Sequence, residues 1–372
     1  MCGYKKTPAP RAQRVYELAQ KIGEGSFGAV YSAKVVGLKK KMVAVKICKA
    51  ETHRRELFML DLIKNSEVKS KFVSGHLDSY EKDTKLFIVM ELMQKPLSVI
   101  IDNEGESIPL HAIRVVSKQI LLGLSALHSM GIVHNDLKPD NVMLVNHDKN
   151  PYQIKLIDFG GAIHADFEGG AKRYPQAMAY IAPESNIKDI VGPASDIWAH
   201  ALIILEMIIG KSFFYPYMPI EATYQHFKLL GNPSMKFRKL IGDKFKQHFT
   251  FTNRVVPVYV DEKKARERKA TQAETFEEIY NHLMYEDEIE SDVLCLEAFL
   301  KQMLTWSPDD RCSADEALED LWVNPERFED QKYGKKALVY YRKAKIEVAT
   351  RKRKIDNEDD KEDNKENKRP AI

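Results

Sequence analysis

The sequence predicts an α+β fold, with a small β-rich lobe first and a larger, mainly helical lobe after it. Two observations carry this reading. From Val15 to about Met93, short β-branched and aromatic runs are punctuated by glycine, and from Leu97 onward apolar residues recur at helical spacing. Strands segregated from helices in this order are the mark of an α+β molecule. The 372 residues are enough for one large or two medium domains, and 44% hydrophobic with 30% charged residues is the composition of a globular protein.

The first 14 residues, "MCGYKKTPAPRAQR", read as a flexible lead-in without the apolar core of a signal peptide. "VYELAQKIGEGSFGAVYSAKVV" (15–36) and "MVAVKICKA" (42–50) read as strands, "THRRELFMLDLIKN" (52–65) as a helix, and "KLFIVMELM" (85–93) as a further strand. In "HAIRVVSKQILLGLSALHSMG" (111–131), Ile113, Val116, Ile120, Leu124 and Leu127 form one helical stripe that ends at Gly131, a C-terminal cap. "IWAHALIILEMIIG" (197–210) is too short for a membrane span, carries His200 and Glu206, and reads as a buried helix. Globular patterning fades after "LWVNPERF" (321–328). The expected organisation is therefore a lead-in over 1–14, a domain over 15–325 divided into lobes 15–93 and 94–325, a partly helical extension over 326–349, and a disordered charged tail over 350–372.

A net charge of +3 gives no reason to expect binding to nucleic acid or to an anionic membrane. Cys2, Cys48, Cys295 and Cys312 are scattered, with no C-x-x-C pair, which fits reduced thiols better than a disulfide framework or a zinc site.

Four stretches carry chemistry. In "IGEGSFGAV" (22–30), Gly23, Gly25 and Gly28 have G-x-G-x-x-G spacing. Glycines let backbone N–H groups approach phosphate oxygens without Cβ obstruction. A dinucleotide-binding loop would open into a helix, whereas here "AVYSAKVV" continues as a strand; an ordinary glycine turn stays open as the alternative. "MVAVK" (42–46) closes an apolar strand on Lys46, which could equally be a strand-end lysine with its charge in solvent. "HNDLKPDN" (134–141) crowds His134, Asp136, Lys138 and Asn141 into one short loop. "KLIDFGGA" (155–162) delivers Asp158 from the end of an apolar strand, 17 positions after Asn141, and a carboxylate and an amide oxygen are hard ligands suited to Mg²⁺.

These motifs, with "APE" (182–184), "SDIW" (195–198) and "WSPDDR" (306–311) following in order, resemble the eukaryotic protein kinases over roughly residues 14–325. The resemblance implies a bilobal fold, ATP and Mg²⁺ as cofactors, and a protein substrate phosphorylated on Ser or Thr by a monomeric enzyme. It implies that Asp136 takes or orients the proton of the attacking hydroxyl, that Lys138 neutralises charge on the transferred group, and that Lys46 holds ATP phosphates in a pair with Glu56. Asn141 and Asp158 are the implied metal ligands. Ile22, Gly23, Gly25, Gly28, Val30 and Ala44 are the implied nucleotide contacts, with the adenine against Glu91 to Met93, behind Met90. Glu184 and Arg311 are expected as a bracing ion pair, and Asp196 as a cap on the catalytic loop.

Within that family, "HNDLKPDNVMLVNHDKNPYQIKLIDFGGAIH" (134–164) resembles the homeodomain-interacting kinases of the dual-specificity tyrosine-regulated group. "RYPQAM" (173–178) places Tyr174 and Gln176 where that group carries an autophosphorylated tyrosine and a glutamine. Departures accompany the likeness. Met178 and Ile181 stand where the group has arginines, which alone with lysine could grip a phosphate strongly. Ala177 replaces a Ser or Thr and Ala201 a glycine, whereas Asn135, in place of the arginine usual in kinases at large, belongs to the likeness, since the group also carries a small or uncharged residue there. A nucleotide- or partner-binding scaffold with little phosphotransfer is therefore the competing reading. "RKRK" (351–354) reads as a nuclear import signal or as a solvated charge run, giving a nuclear or cytoplasmic location.

Overall fold

The computed structural model describes residues 14–25, 28–38, 41–68, 70–103, 108–164, 176–216, 218–244, 249–251, 255–257 and 290–325. Tyr174, the partly helical extension and the charged tail lie outside these residues.

A five-stranded antiparallel sheet opens the chain, built from β1 (Tyr16–Gly25), β2 (Gly28–Val35), β3 (Met42–Lys49), β4 (His76–Lys82) and β5 (Lys85–Glu91) in the spatial order β1-β2-β3-β5-β4. Its register explains its two faces. Val30 lies opposite Lys46, and Ala44 opposite Met90, so period-2 alternation turns Val30, Ala44, Lys46 and Met90 to one side. The other face buries Ala33, Val35, Val43, Val45 and Val89 under Tyr16, Tyr80 and Phe87. Helix α1 (Ala50–Asn65) follows β3 directly and buries Met59, Leu60 and Ile63.

Strand β6 (Lys95–Pro96) leads from this lobe into a three-stranded sheet with β7 (Val142–Leu144) and β8 (Ile154–Leu156). The hairpin between β7 and β8 is fastened to the inter-lobe connection. Gln94 receives the His147 N–H at 2.5 Å and donates to Asp148 at 2.9 Å, and Lys155 pairs with Glu91.

The second lobe is helical: α2 (Leu97–Asn103), α3 (Leu110–Ser129), α4 (Pro183–Lys188), α5 (Pro193–Ile209), α6 (Pro219–Leu230), α7 (Met235–Ile241), α8 (Glu290–Met303) and α9 (Ala314–Leu318) among the described residues. The stripe Ile113, Val116, Ile120, Leu124 and Leu127 is fully buried, and Gly131 ends α3 with φ +73°, which its lack of a Cβ permits. By length and composition α3 would suffice to cross a bilayer, but most of its apolar residues are packed into the lobe, with Val115 and Leu122 exposed. Helix α5 is buried from Ser195 to Ile208. Two lobes, one a sheet with a single helix and the other helical, make the bilobal α+β arrangement anticipated from the pattern.

Candidate active site

A cleft of about 350 Å³ lies between the lobes. The inward face of the sheet forms its roof: Ile22, Gly23, Gly25, Gly28, Val30, Ala44, Lys46 and Met90 line it, as do Glu56, Glu91, Met93 and Asp158. Glycine is obligatory at position 28, where φ is +120° and a Cβ would stand 2.5 Å from the Ile47 carbonyl oxygen. Gly25, its partner across the hairpin, has open space around its Cα.

Deep in the cleft, Lys46 Nζ donates to both oxygens of Glu56, at 2.7 and 2.8 Å, and to Asp158 Oδ1 at 3.0 Å. Lys46 and Glu56 are 5% and 2% exposed, so this cation is presented in a site largely stripped of water. Burial acts against every charge here. For Lys46 the Glu56 and Asp158 carboxylates outweigh it and hold the ammonium pKa above its ordinary value. Burial pushes Glu56 up, opposed by Lys46. Asp158 resists burial through Lys46 and the Gly160 N–H, and its carboxyl stays below the usual range. Asp158 has φ +62°, a conformation uncommon outside glycine, and Phe159 behind it is buried against the His134 ring at 5.3 Å.

The catalytic-loop candidates meet beside the cleft, where the Ile157 N–H donates to the Asn141 carbonyl at 3.0 Å. Lys138 Nζ donates to Asp136 Oδ2 at 2.8 Å. Asn141 Nδ2 donates to the Asp136 carbonyl at 2.7 Å and to Oδ2 at 3.2 Å. With its amide nitrogen committed to Asp136, Asn141 turns its oxygen the other way. Among the described residues there is no cluster of three or more His, Cys, Asp or Glu that could enclose a metal. A divalent ion held by Asn141 and Asp158 would take its remaining ligands from water and phosphate, as Mg²⁺ commonly does, so the donor set fits such an ion. Asn141 is the one expected cofactor contact that does not line the cleft.

Asp196, near the start of α5, caps the loop from below. Its carboxylate accepts from the His134 N–H at 2.8 Å, the Asn135 N–H at 2.9 Å and His128 Nε2 at 2.9 Å. Glu184 and Arg311 form a two-pronged pair at 2.6 Å each, both nearly inaccessible to solvent.

Beyond the segment holding Tyr174, the Ala177 N–H reaches Asp136 Oδ1 at 3.3 Å. Ile181 is buried, and its carbonyl oxygen lies 3.0 Å from His226 Nε2, so this position is part of the core. Tyr180 donates to Glu206 at 2.5 Å. Burial with Glu206 beside it drives the Tyr180 pKa up, and burial lifts Glu206 to about 7 despite the Tyr180 hydrogen bond.

Sequence reasoning overlooked Glu24, Asp140, Met143 and Ile157, which also line the cleft. For Met143 and Ile157 a signal existed. Val142 and Leu144 are fully buried, so alternation along β7 turns Met143 between them to the cleft side, and Ile157 immediately precedes Asp158.

Comparison with known proteins agrees with this geometry. The protein kinase domain family matches residues 16–323, and the chain belongs to it. Proteins of this family use ATP and a divalent metal ion. Similar relatives include homeodomain-interacting protein kinase 1 of Caenorhabditis elegans (27% identical, 83% of this chain and 40% of the relative) and kinase 4 of Rattus norvegicus (26%, 84% and 56%). Homeodomain-interacting protein kinase 2 of Mesocricetus auratus is 29% identical over 58% of this chain and 18% of its own. The chain thus spans about half or less of the curated relatives it matches.

Proposed function

We propose that this protein is an active serine/threonine kinase that transfers the γ-phosphoryl group of ATP to protein hydroxyls with Mg²⁺. The observation that carries the proposal is the presence of two complete clusters, joined where the Ile157 N–H, next to Asp158, donates to the Asn141 carbonyl at 3.0 Å. Lys46, Glu56 and Asp158 are linked by contacts of 2.7 to 3.0 Å, and Asp136, Lys138 and Asn141 by contacts of 2.7 to 3.2 Å.

The chemistry follows from positions. The acceptor hydroxyl oxygen bonds to the γ-phosphorus, the bond to the β–γ bridging oxygen breaks, and ADP departs. Asp136 orients the hydroxyl and receives its proton, a contribution of about 10²–10⁴-fold for well-placed acid–base groups. Lys138, 2.8 Å from Asp136, faces the same reacting centre and offsets charge on the transferred group. Lys46 holds phosphate oxygens, and Glu56 holds Lys46. Asn141 and Asp158 would hold the metal ion through their oxygens, and the bound ion would supply screening of the phosphate charge.

The test is transfer of radiolabelled phosphate to a generic basic protein. Transfer by the wild type that disappears in Asp136→Asn supports the enzyme; equal signal in the two points to the scaffold reading. Tyr174 is the candidate autophosphorylation site. The "RKRK" stretch supports a nuclear location, and an unchanged distribution after deletion of residues 350–372 removes that support.

A further inference from the structure

We propose that Asn135 is a positioning residue: its neutral side-chain amide sets the geometry between the catalytic loop and the chain on either side of residues 165–175, with no phosphate required. The inference rests on the kinase reading and names how that site is held in register.

Asn135 is 4% exposed and has φ +64°. Asparagine tolerates this left-handed conformation better than most residues, and the Asn135 N–H is anchored there by Asp196 at 2.9 Å. From this fixed point the side chain reaches in two directions. Nδ2 donates to the Gly161 carbonyl at 2.9 Å, just after Asp158, and Oδ1 accepts from Gln176 Nε2 at 2.5 Å. One side chain therefore joins two chain positions 15 residues apart to the residue preceding Asp136.

The orientation of both amides is dictated. Because the Gly161 atom in contact is its carbonyl oxygen, Asn135 must present its nitrogen to it and its oxygen to Gln176. Gln176 must then present its nitrogen, which leaves Gln176 Oε1 buried without a hydrogen-bond partner among the described residues. An orphaned buried acceptor is tolerated here in exchange for the contact with Asn135. Ala177, the next residue, donates its N–H to Asp136 Oδ1, so the clasp at Gln176 sets how the carboxylate meets the segment beside it. Neither of the two contacts made by the Asn135 side chain involves a charged group. An arginine at this position would need a counter-charge, and the positions able to supply a phosphate grip, 178 and 181, hold Met178 and Ile181.

The test uses the full chain, ATP and a generic basic protein, with wild type, Asn135→Ala, Asn135→Asp, Gln176→Ala and the Asn135→Ala/Gln176→Ala double variant. Misplacing reacting groups by about 1 Å can lower turnover about 10²-fold, so Asn135→Ala is expected to reduce kcat at least about tenfold. KM for ATP should stay within about twofold, because the nucleotide contacts are elsewhere. Asn135→Asp can still accept from Gln176 but turns a buried carboxylate oxygen toward the Gly161 carbonyl, and should lose at least as much kcat as alanine. Gln176→Ala removes one contact without stranding a charge, should give a smaller kcat loss, and keeps the test decisive if the Asn135 variants do not fold. The double variant should fall no further than Asn135→Ala alone, because both substitutions break the same hydrogen bond. Phosphatase-treated wild type should retain its activity. Wild-type kcat in both Asn135 variants, multiplicative losses in the double variant, or loss of activity on phosphatase treatment would each overturn the inference while leaving the kinase reading intact. A wild type that transfers no phosphate overturns the kinase reading and the inference with it.

Discussion

Arg311→Ala is the sharpest test of how the helical lobe is braced. In the native protein the guanidinium donates to both Glu184 oxygens at 2.6 Å, to the Ala194 carbonyl at 3.0 Å and to the Thr305 carbonyl at 3.0 and 3.2 Å, while lying 5.1 Å over the Trp198 ring. Truncation leaves the Glu184 carboxylate 1% exposed and unpaired. Removing one partner of a buried ion pair destabilises by about 3–5 kcal/mol. Against a typical total of about 5–15 kcal/mol this is a large fraction. At about 2 °C per kcal/mol for a unit of this size, the apparent Tm should fall by about 6–10 °C. Melting followed by intrinsic tryptophan fluorescence reads this directly, since Trp198 borders the pair. Arg311→Lys keeps charge but loses the fork, and should fall between wild type and alanine. Replacing both partners with methionine should recover most of the loss, because no buried charge is then stranded. A Tm for Arg311→Ala within about 2 °C of wild type, or a double variant no better than the single, would refute the reasoning.

Two further outcomes are expected. Glu206 has its pKa raised from 4.5 to about 7, chiefly by burial, so between those values the folded protein retains a proton that the unfolded chain has released. Stability must therefore decline as pH rises through that window and level off above it, by at most about 3 kcal/mol; subtracting the curve for Glu206→Gln should isolate the decline, and parallel curves would count against it. In the glycine loop, Gly28→Ala should lower Tm, because φ +120° and the 2.5 Å approach to Ile47 impose strain of about 1–3 kcal/mol, whereas Gly25→Ala, in open space, should melt like wild type. Indistinguishable melts for the two variants would argue against that assignment.

The strands, the helical lobe and the buried stripe of α3 were legible because hydrophobic periodicity is local. The residues of the cleft were legible for a related reason. Lys46 stands on β3 in a register that pairs it with Val30, and Asp158 lies two residues past the end of β8, so spacing along the chain fixes where they emerge. Contacts made by side chains far apart in sequence were not legible. Asn135 reads from sequence only as an arginine lost; its bonds to Gly161 and Gln176 depend on a backbone conformation that sequence does not announce. Tyr180 and Glu206, 26 residues apart, and the fastening of Gln94 to the β7–β8 hairpin are likewise products of tertiary packing. Ile181 is the reverse case. It reads as a missing phosphate ligand, whereas its burial gives it a packing role of its own.

Helix α5 ties these threads together. It sends Asp196 to the catalytic loop, His200 to Ser117 on α3, Trp198 to Arg311 and Glu206 to Tyr180, all from a stretch with almost no contact with water. In the proposed reaction the acceptor half is thus mounted on an internal keel, while Lys46, Glu56 and the glycine loop belong to a separate sheet and helix. Motion between the lobes would then change the distance from phosphate to acceptor by moving these groups against a fixed reference. Tuning of turnover by mutation or by a bound partner is accordingly easiest through the sheet and α1. Changes in the keel would disturb the proton acceptor, the acceptor platform and the brace at once.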